Sequence, residues 1–179
     1  MMAILIIACG NPLRGDDGVG WEIARMLRDS RGAGVGEVGC EIVAVHQLTP
    51  ELAELVSEAE TVIFIDAAVG AQPGEVCVRV IDAAPEFVPE FSHSLGPAEL
   101  VAIARDVFAR VPRRAFLLCV GADTIAYSEG LSSVAQQAVP LAVEKIGEIF
   151  SESLLPHFGT ASNGTSGVET PDRPGLCRA

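Results

Sequence analysis

Apolar residues run without interruption from Ala3 to Cys9 (AILIIAC), and the pattern returns at Thr61–Ile65 (TVIFI) and Ala115–Val120 (AFLLCV). A strand with one face in water alternates between apolar and polar positions. One covered on both faces does not, so these runs predict strands inside a sheet. Glu41–Val45 (EIVAV) predicts a further strand, and Glu75–Ile81 another. Only about nine residues separate Ile65 from Glu75, too few for a crossover helix, so the strand at 75–81 is expected antiparallel to the one before it and at a sheet edge.

Between the strands the spacing changes to that of helices. Val19, Ile23, Met26 and Leu27 predict a helix to about Arg28, with Asp16 or Asp17 placed to cap its first turn. Thr49-Pro50-Glu51 combines a capping hydroxyl, a first-turn proline and an acid, ahead of Leu52, Leu55 and Val56. Leu100, Val101, Ala104, Val107 and Phe108 mark a helix over Pro97–Arg110, and Leu131–Phe150 a long last one, with a kink expected at Pro140. From Gly159 onward the composition shifts to Gly, Ser, Thr, Asn and Pro. Residues 1–158 therefore read as a single α/β domain and 159–179 as a disordered tail. The expected fold is a three-layer α/β/α sandwich around a five-stranded, mostly parallel twisted sheet carrying one antiparallel strand. Ligands of such folds gather beyond the carboxyl ends of the parallel strands.

Composition narrows the partners. The chain has 179 residues and a formal charge of −12, with 12 Lys and Arg against 24 Asp and Glu. Its densest basic pair is Arg113-Arg114, so nucleic acid and anionic membrane are poor partners. Nothing approaches a membrane span, and the short apolar start, ended by Gly10-Asn11-Pro12, lacks the charged leader and cleavage site of a signal peptide. Cys9, Cys40, Cys77, Cys119 and Cys177 are scattered and odd in number, with no Cys-x-x-Cys pair. Four of them sit in or beside apolar runs and read as small hydrophobes rather than as nucleophiles, and the set as a whole fits a reduced cytoplasm.

The residues that invite chemistry begin in the loop GNPLRGDDGVG, Gly10–Gly20. Gly10-x4-Gly15 resembles the start of a phosphate loop, but Asp16-Asp17 stands where Lys-Ser/Thr would follow, and two carboxylates repel phosphate. Acids at a helix start also act as simple caps, and spacing alone leaves both readings open. Asp66 follows TVIFI and is expected at the end of a parallel strand, near that loop. A turn residue is its plainer reading. Among the histidines, His93 sits in Ser92-His93-Ser94, on a loop from residue 82 that spans roughly 35 to 40 Å when extended, enough to return to the crevice. His46, with Gln47, ends the second strand and also faces that end; His157 borders the tail. Two carboxylates and one imidazole suit a divalent first-row ion such as Ni, Zn or Mn, or acid–base chemistry without metal. No Gly-x-Ser-x-Gly elbow or His-Glu-x-x-His competes.

Five segments together resemble the hydrogenase maturation endopeptidases: GNPLRGDDGVG (Gly10–Gly20), HQLTPELAE (His46–Glu54), FIDAAVGAQPGEV (Phe64–Val76), SHSLGPAEL (Ser92–Leu100) and GLS (Gly130–Ser132). The resemblance spans about residues 3 to 150. It implies a protease that removes a short C-terminal extension from the precursor of a [NiFe]-hydrogenase large subunit after nickel insertion. It further implies nickel contacts at Asp17, Asp66 and His93, choosing His93 over His46. The nickel would be supplied by the substrate, with no organic cofactor. Asp17 and Asp66 are then the catalytic carboxylates, with Gly10, Asn11, Asp16, Gly18 and Gln47 supporting them and Asp16 shaping the loop and capping the helix. Relatives carry Asp or Glu at the position of Asp17, and Asp shortens the reach by one methylene. The rival readings are a nickel-dependent checkpoint module that binds the precursor without cutting it, and a Rossmann-like nucleotide or sugar-phosphate enzyme.

Overall fold

The computed structural model of the chain describes residues 2–30, 39–82 and 95–154. His93, His157, Cys177 and the tail 159–179 lie outside them. Five strands form one sheet: β1 (Met2–Cys9), β2 (Cys40–Val45), β3 (Ala59–Ala68), β4 (Val76–Val80) and β5 (Arg114–Gly121), in the order β2-β1-β3-β5-β4. Helices α1 (Val19–Asp29), α2 (Leu52–Glu58), α3 (Pro97–Phe108) and α4 (Ser133–Leu154) cover it.

The unbroken apolar runs have the expected cause. Along β1, Ile4, Ile6 and Ala8 join a core with α1 and α4, while Leu5, Ile7 and Cys9 join a second core with α2 and α3. β3 divides in the same way, Ile63 and Ile65 toward the first core and Val62 and Phe64 toward the second. Because successive side chains point to opposite faces, a strand between two helix layers must be apolar at every position. The result is the expected three-layer sandwich.

Three details differ from the sequence-based expectation. The strand at 75–81 does run antiparallel at the edge, but it pairs with β5, not β3. Both edges of β3 are taken by β1 and β5, so the chain passes over the place that β5 later fills. Second, β3 does not stop before Asp66: pairing with β5 carries it on to Ala68, opposite Gly121. Third, α4 begins at Ser133 rather than Leu131, since the Ser132 hydroxyl accepts the Ala135 N–H and caps the helix. The helix then runs on through Pro140. α3 closes at Ala109, whose left-handed backbone (φ 53°) returns its N–H to the Arg105 carbonyl. No helix among the described residues is long and apolar enough to cross a membrane.

Candidate active site

β1 leads into a loop whose shape is fixed by close backbone approach. Gly10 has φ +123°, and a Cβ there would lie 1.8 Å from the Asp17 carbonyl oxygen. A Cβ on Gly18 would lie 2.7 Å from Pro12 Cα. Both positions therefore need glycine if the loop is to fold back on itself. The Asn11 N–H donates to Asp17 Oδ2 (2.8 Å), and Asn11 Oδ1 accepts the Leu13 N–H (3.0 Å). The acids do not cap α1 as the sequence suggested. A 3-10 turn, Gly15–Gly18, precedes the helix, and no side chain caps either element.

Asp16 turns away to another task. It is 1 % exposed and accepts four hydrogen bonds: from the backbone N–H groups of Asp123 (2.9 Å), Thr124 (3.3 Å) and Ser132 (2.7 Å), and from the Ser132 hydroxyl (2.8 Å). Burial pushes its carboxyl up, but the hydrogen bonds from Ser132, Asp123 and Thr124 together outweigh burial and hold it below the usual range. Backbone bonds complete the strap between the two loops: Asp16 N–H to Thr124 O, Gly15 N–H to Ser128 O, and Ser128 N–H to Leu13 O. Asp16 thus ties the loop to the segment after β5 rather than to the helix.

Asp17 remains beside the crevice with Oδ1 unbonded among the described residues. Asp66 stands on β3 opposite Cys119, with its Oδ1 accepting the Ala67 N–H (2.8 Å). Burial raises the Asp66 carboxyl above its ordinary range, and the Asp17 charge adds to the rise against the Ala67 bond. The two carboxylates therefore share one electrostatic environment at the carboxyl ends of β1 and β3. Burial first and the Asp66 charge second push the thiol of Cys9 up to about 12, and the same causes raise Cys119, which disfavours their thiolate forms.

The third expected member, His93, lies outside the described residues, among which no three His, Cys, Asp or Glu side chains form a metal-binding group. His46 is exposed at the end of β2, its ring 5.4 Å from that of Trp21, and Gln47 beside it is exposed too. Trp21 is a residue that the sequence reading missed. Its indole N–H donates to the carbonyls of Gly10 (2.8 Å) and Val45 (3.3 Å), tying the site loop to the end of β2. Ser132 and the Asp123–Thr124 backbone were missed as well. The late Gly-Leu-Ser segment was their one visible signal. A last feature of the rim is Arg14, whose guanidinium lies 6.0 Å from the centre of the Tyr127 ring.

No protein-family model and no curated protein sequence matches the chain. Solved structures do. The hydrogenase maturating endopeptidase HybD from E. coli superposes with a TM-score of 0.69 at 21% identity, covering 86% of this chain and 94% of that one. The [NiFe] hydrogenase maturation protease HybD from Thermococcus kodakarensis gives 0.61 at 23% identity, with 83% and 99% covered. The endopeptidase HycI from E. coli gives 0.60 at 17% identity, with 90% and 100% covered. At these identities the likeness establishes a shared fold.

Proposed function

We propose that this chain is a hydrogenase maturation endopeptidase that removes the C-terminal extension of a [NiFe]-hydrogenase large-subunit precursor once nickel has been inserted. The observation that carries the proposal is Asp66 on β3, whose carboxyl is raised above its ordinary range by burial, with the nearby Asp17 charge adding to the rise. The likeness in fold to proteins named as hydrogenase maturation proteases supports the same reading.

In this reading the nickel belongs to the precursor. Asp17, Asp66 and His93 are proposed to approach it as carboxylate and imidazole ligands, a donor set that suits a borderline divalent ion. Recognition of the metal brings the scissile peptide over the crevice. Water then adds to the peptide carbonyl, the C–N bond breaks, and the proton lost by water passes to the departing amine. That proton is taken up by whichever of Asp17 and Asp66 is not engaged with the metal, or is lost from water activated by the precursor's nickel.

The test is processing of a nickel-loaded precursor by the purified protein, with a nickel-free precursor as control. Cleavage of the loaded form alone is expected. Equal cleavage of both would remove metal recognition from the account, and binding without cleavage would leave a checkpoint module. Asp17→Ala, Asp66→Ala and His93→Ala are each expected to abolish processing in a folded protein, and full activity in any of them would release that residue from the site.

A further inference from the structure

The described loops beyond the carboxyl ends of the strands, residues 10–18, 46–51, 69–75 and 122–132, are acidic. They carry Asp16, Asp17, Glu51, Glu75, Asp123 and Glu129, with Asp66 two residues before the end of β3. Arg14 is the one Lys or Arg among them. It nevertheless pairs with none of these acids among the described residues, whose side-chain ion pairs lie at Arg25, Arg105 and Lys145. Its Nε is buried without a hydrogen-bond partner. Arg14 is held instead by the Tyr127 ring and by the parallel bridge between Arg14 and Ser128. Large side chains stand out beside it, Leu13 58% exposed and Tyr127 85% exposed.

A guanidinium whose Nε has no hydrogen-bond partner among the described residues, set beside an aromatic ring and exposed apolar groups, has the makings of an anchor for a polypeptide interface. It is also the group best shaped for a carboxylate, which it grips with two parallel hydrogen bonds. Elsewhere on the described loops the surrounding acids repel an incoming carboxylate. As the one cation of the described loops, Arg14 is placed to fix where an acidic segment settles, and so its register over Asp17 and Asp66.

We infer that Arg14, braced by Tyr127, determines specificity by binding a carboxylate of the polypeptide segment that enters the crevice. The inference rests on the protease reading above. The carboxylate is either an Asp or Glu side chain of the extension or its C-terminal group. The experiment combines steady-state processing of nickel-loaded precursor with calorimetric binding of a synthetic peptide spanning the extension. The peptide is used unmodified, with its Asp and Glu replaced by Asn and Gln, and with a C-terminal amide. Arg14→Ala is expected to raise KM and the peptide Kd about tenfold, with kcat nearly unchanged, and Arg14→Lys to recover part of the loss. Neutralising the recognised carboxylate should weaken wild type by the same factor and leave Arg14→Ala unaffected, which identifies the source. Equal binding of every peptide by wild type and Arg14→Ala overturns the inference, as does a wild type that binds no peptide or a variant that loses kcat at constant KM. Arg14-dependent peptide binding without precursor cleavage would defeat the protease reading alone. Cleavage equal in wild type and Arg14→Ala would defeat the Arg14 assignment alone.

Discussion

Asp16 and Ser132 lie 116 positions apart in the chain and are joined twice, by the Ser132 N–H and by its hydroxyl, both donating to the Asp16 carboxylate. The same hydroxyl caps α4. One buried carboxylate thus fixes the loop that carries Asp17, the segment after β5 and the start of the last helix.

Removing that carboxylate should cost stability as well as function. Asp16→Ala leaves three backbone N–H groups and a hydroxyl without their acceptor, and hydrogen bonds to a charged group contribute roughly 1.5 to 3 kcal/mol each. A loss of about 3 kcal/mol or more is expected in urea unfolding, and processing should fall with it. The folded-state carboxyl sits below its unfolded value, so its contribution is complete above the unfolded value of about 4 and disappears as pH falls through the lower folded one. The stability gap between wild type and Asp16→Ala should therefore narrow only in strong acid. A gap that stays constant down to acid unfolding would show that the charge does not matter.

Gly10→Ala tests whether the loop geometry sets the site. The new methyl would meet the Asp17 carbonyl oxygen at 1.8 Å on a backbone with φ +123°. Strain of this kind costs on the order of 1 to 3 kcal/mol. Relief requires the Asp17 backbone to move, so processing should be lost even where the variant remains folded at low temperature. Wild-type activity in a folded Gly10→Ala protein would disconnect the loop geometry from the chemistry.

Asp66 should behave in the opposite sense to Asp16. Its folded-state carboxyl is raised, so the ionised form destabilises the fold above the folded pKa, and this cost vanishes as pH falls below the unfolded value. Asp66→Asn is expected to have a higher Tm than wild type at neutral pH, an advantage that shrinks in acid. Its processing rate should fall by about 10² or more if Asp66 carries the proton. In a carbon-13 NMR titration, Asp17→Asn should move the Asp66 carboxyl only part of the way back, since burial is the larger cause. A Tm below wild type at neutral pH, or no movement of the Asp66 titration, would contradict this account.

The sequence by itself determined the strands and the fold class. Sandwiching between two helix layers forces apolar residues onto every position of β1 and β3, and that is visible locally as AILIIAC and TVIFI. It also determined that the strand at 75–81 would lie antiparallel at an edge, because the preceding connection is too short for a crossover. Within the candidate site, the sequence singled out Asp17 and Asp66 as carboxylates beside buried strands, each with a plainer reading as a cap or a turn residue. The tertiary structure alone decided that β4 lies against β5, since both edges of β3 are taken by β1 and β5. It also gave Asp16 its partners at Asp123, Thr124 and Ser132, left Arg14 without an acidic partner among the described residues, and brought Trp21 to Gly10. These pairings follow from parallel strands bringing their carboxyl ends to one side of the sheet. Local spacing predicts an element and its faces, but it carries no record of which distant loop will share that edge.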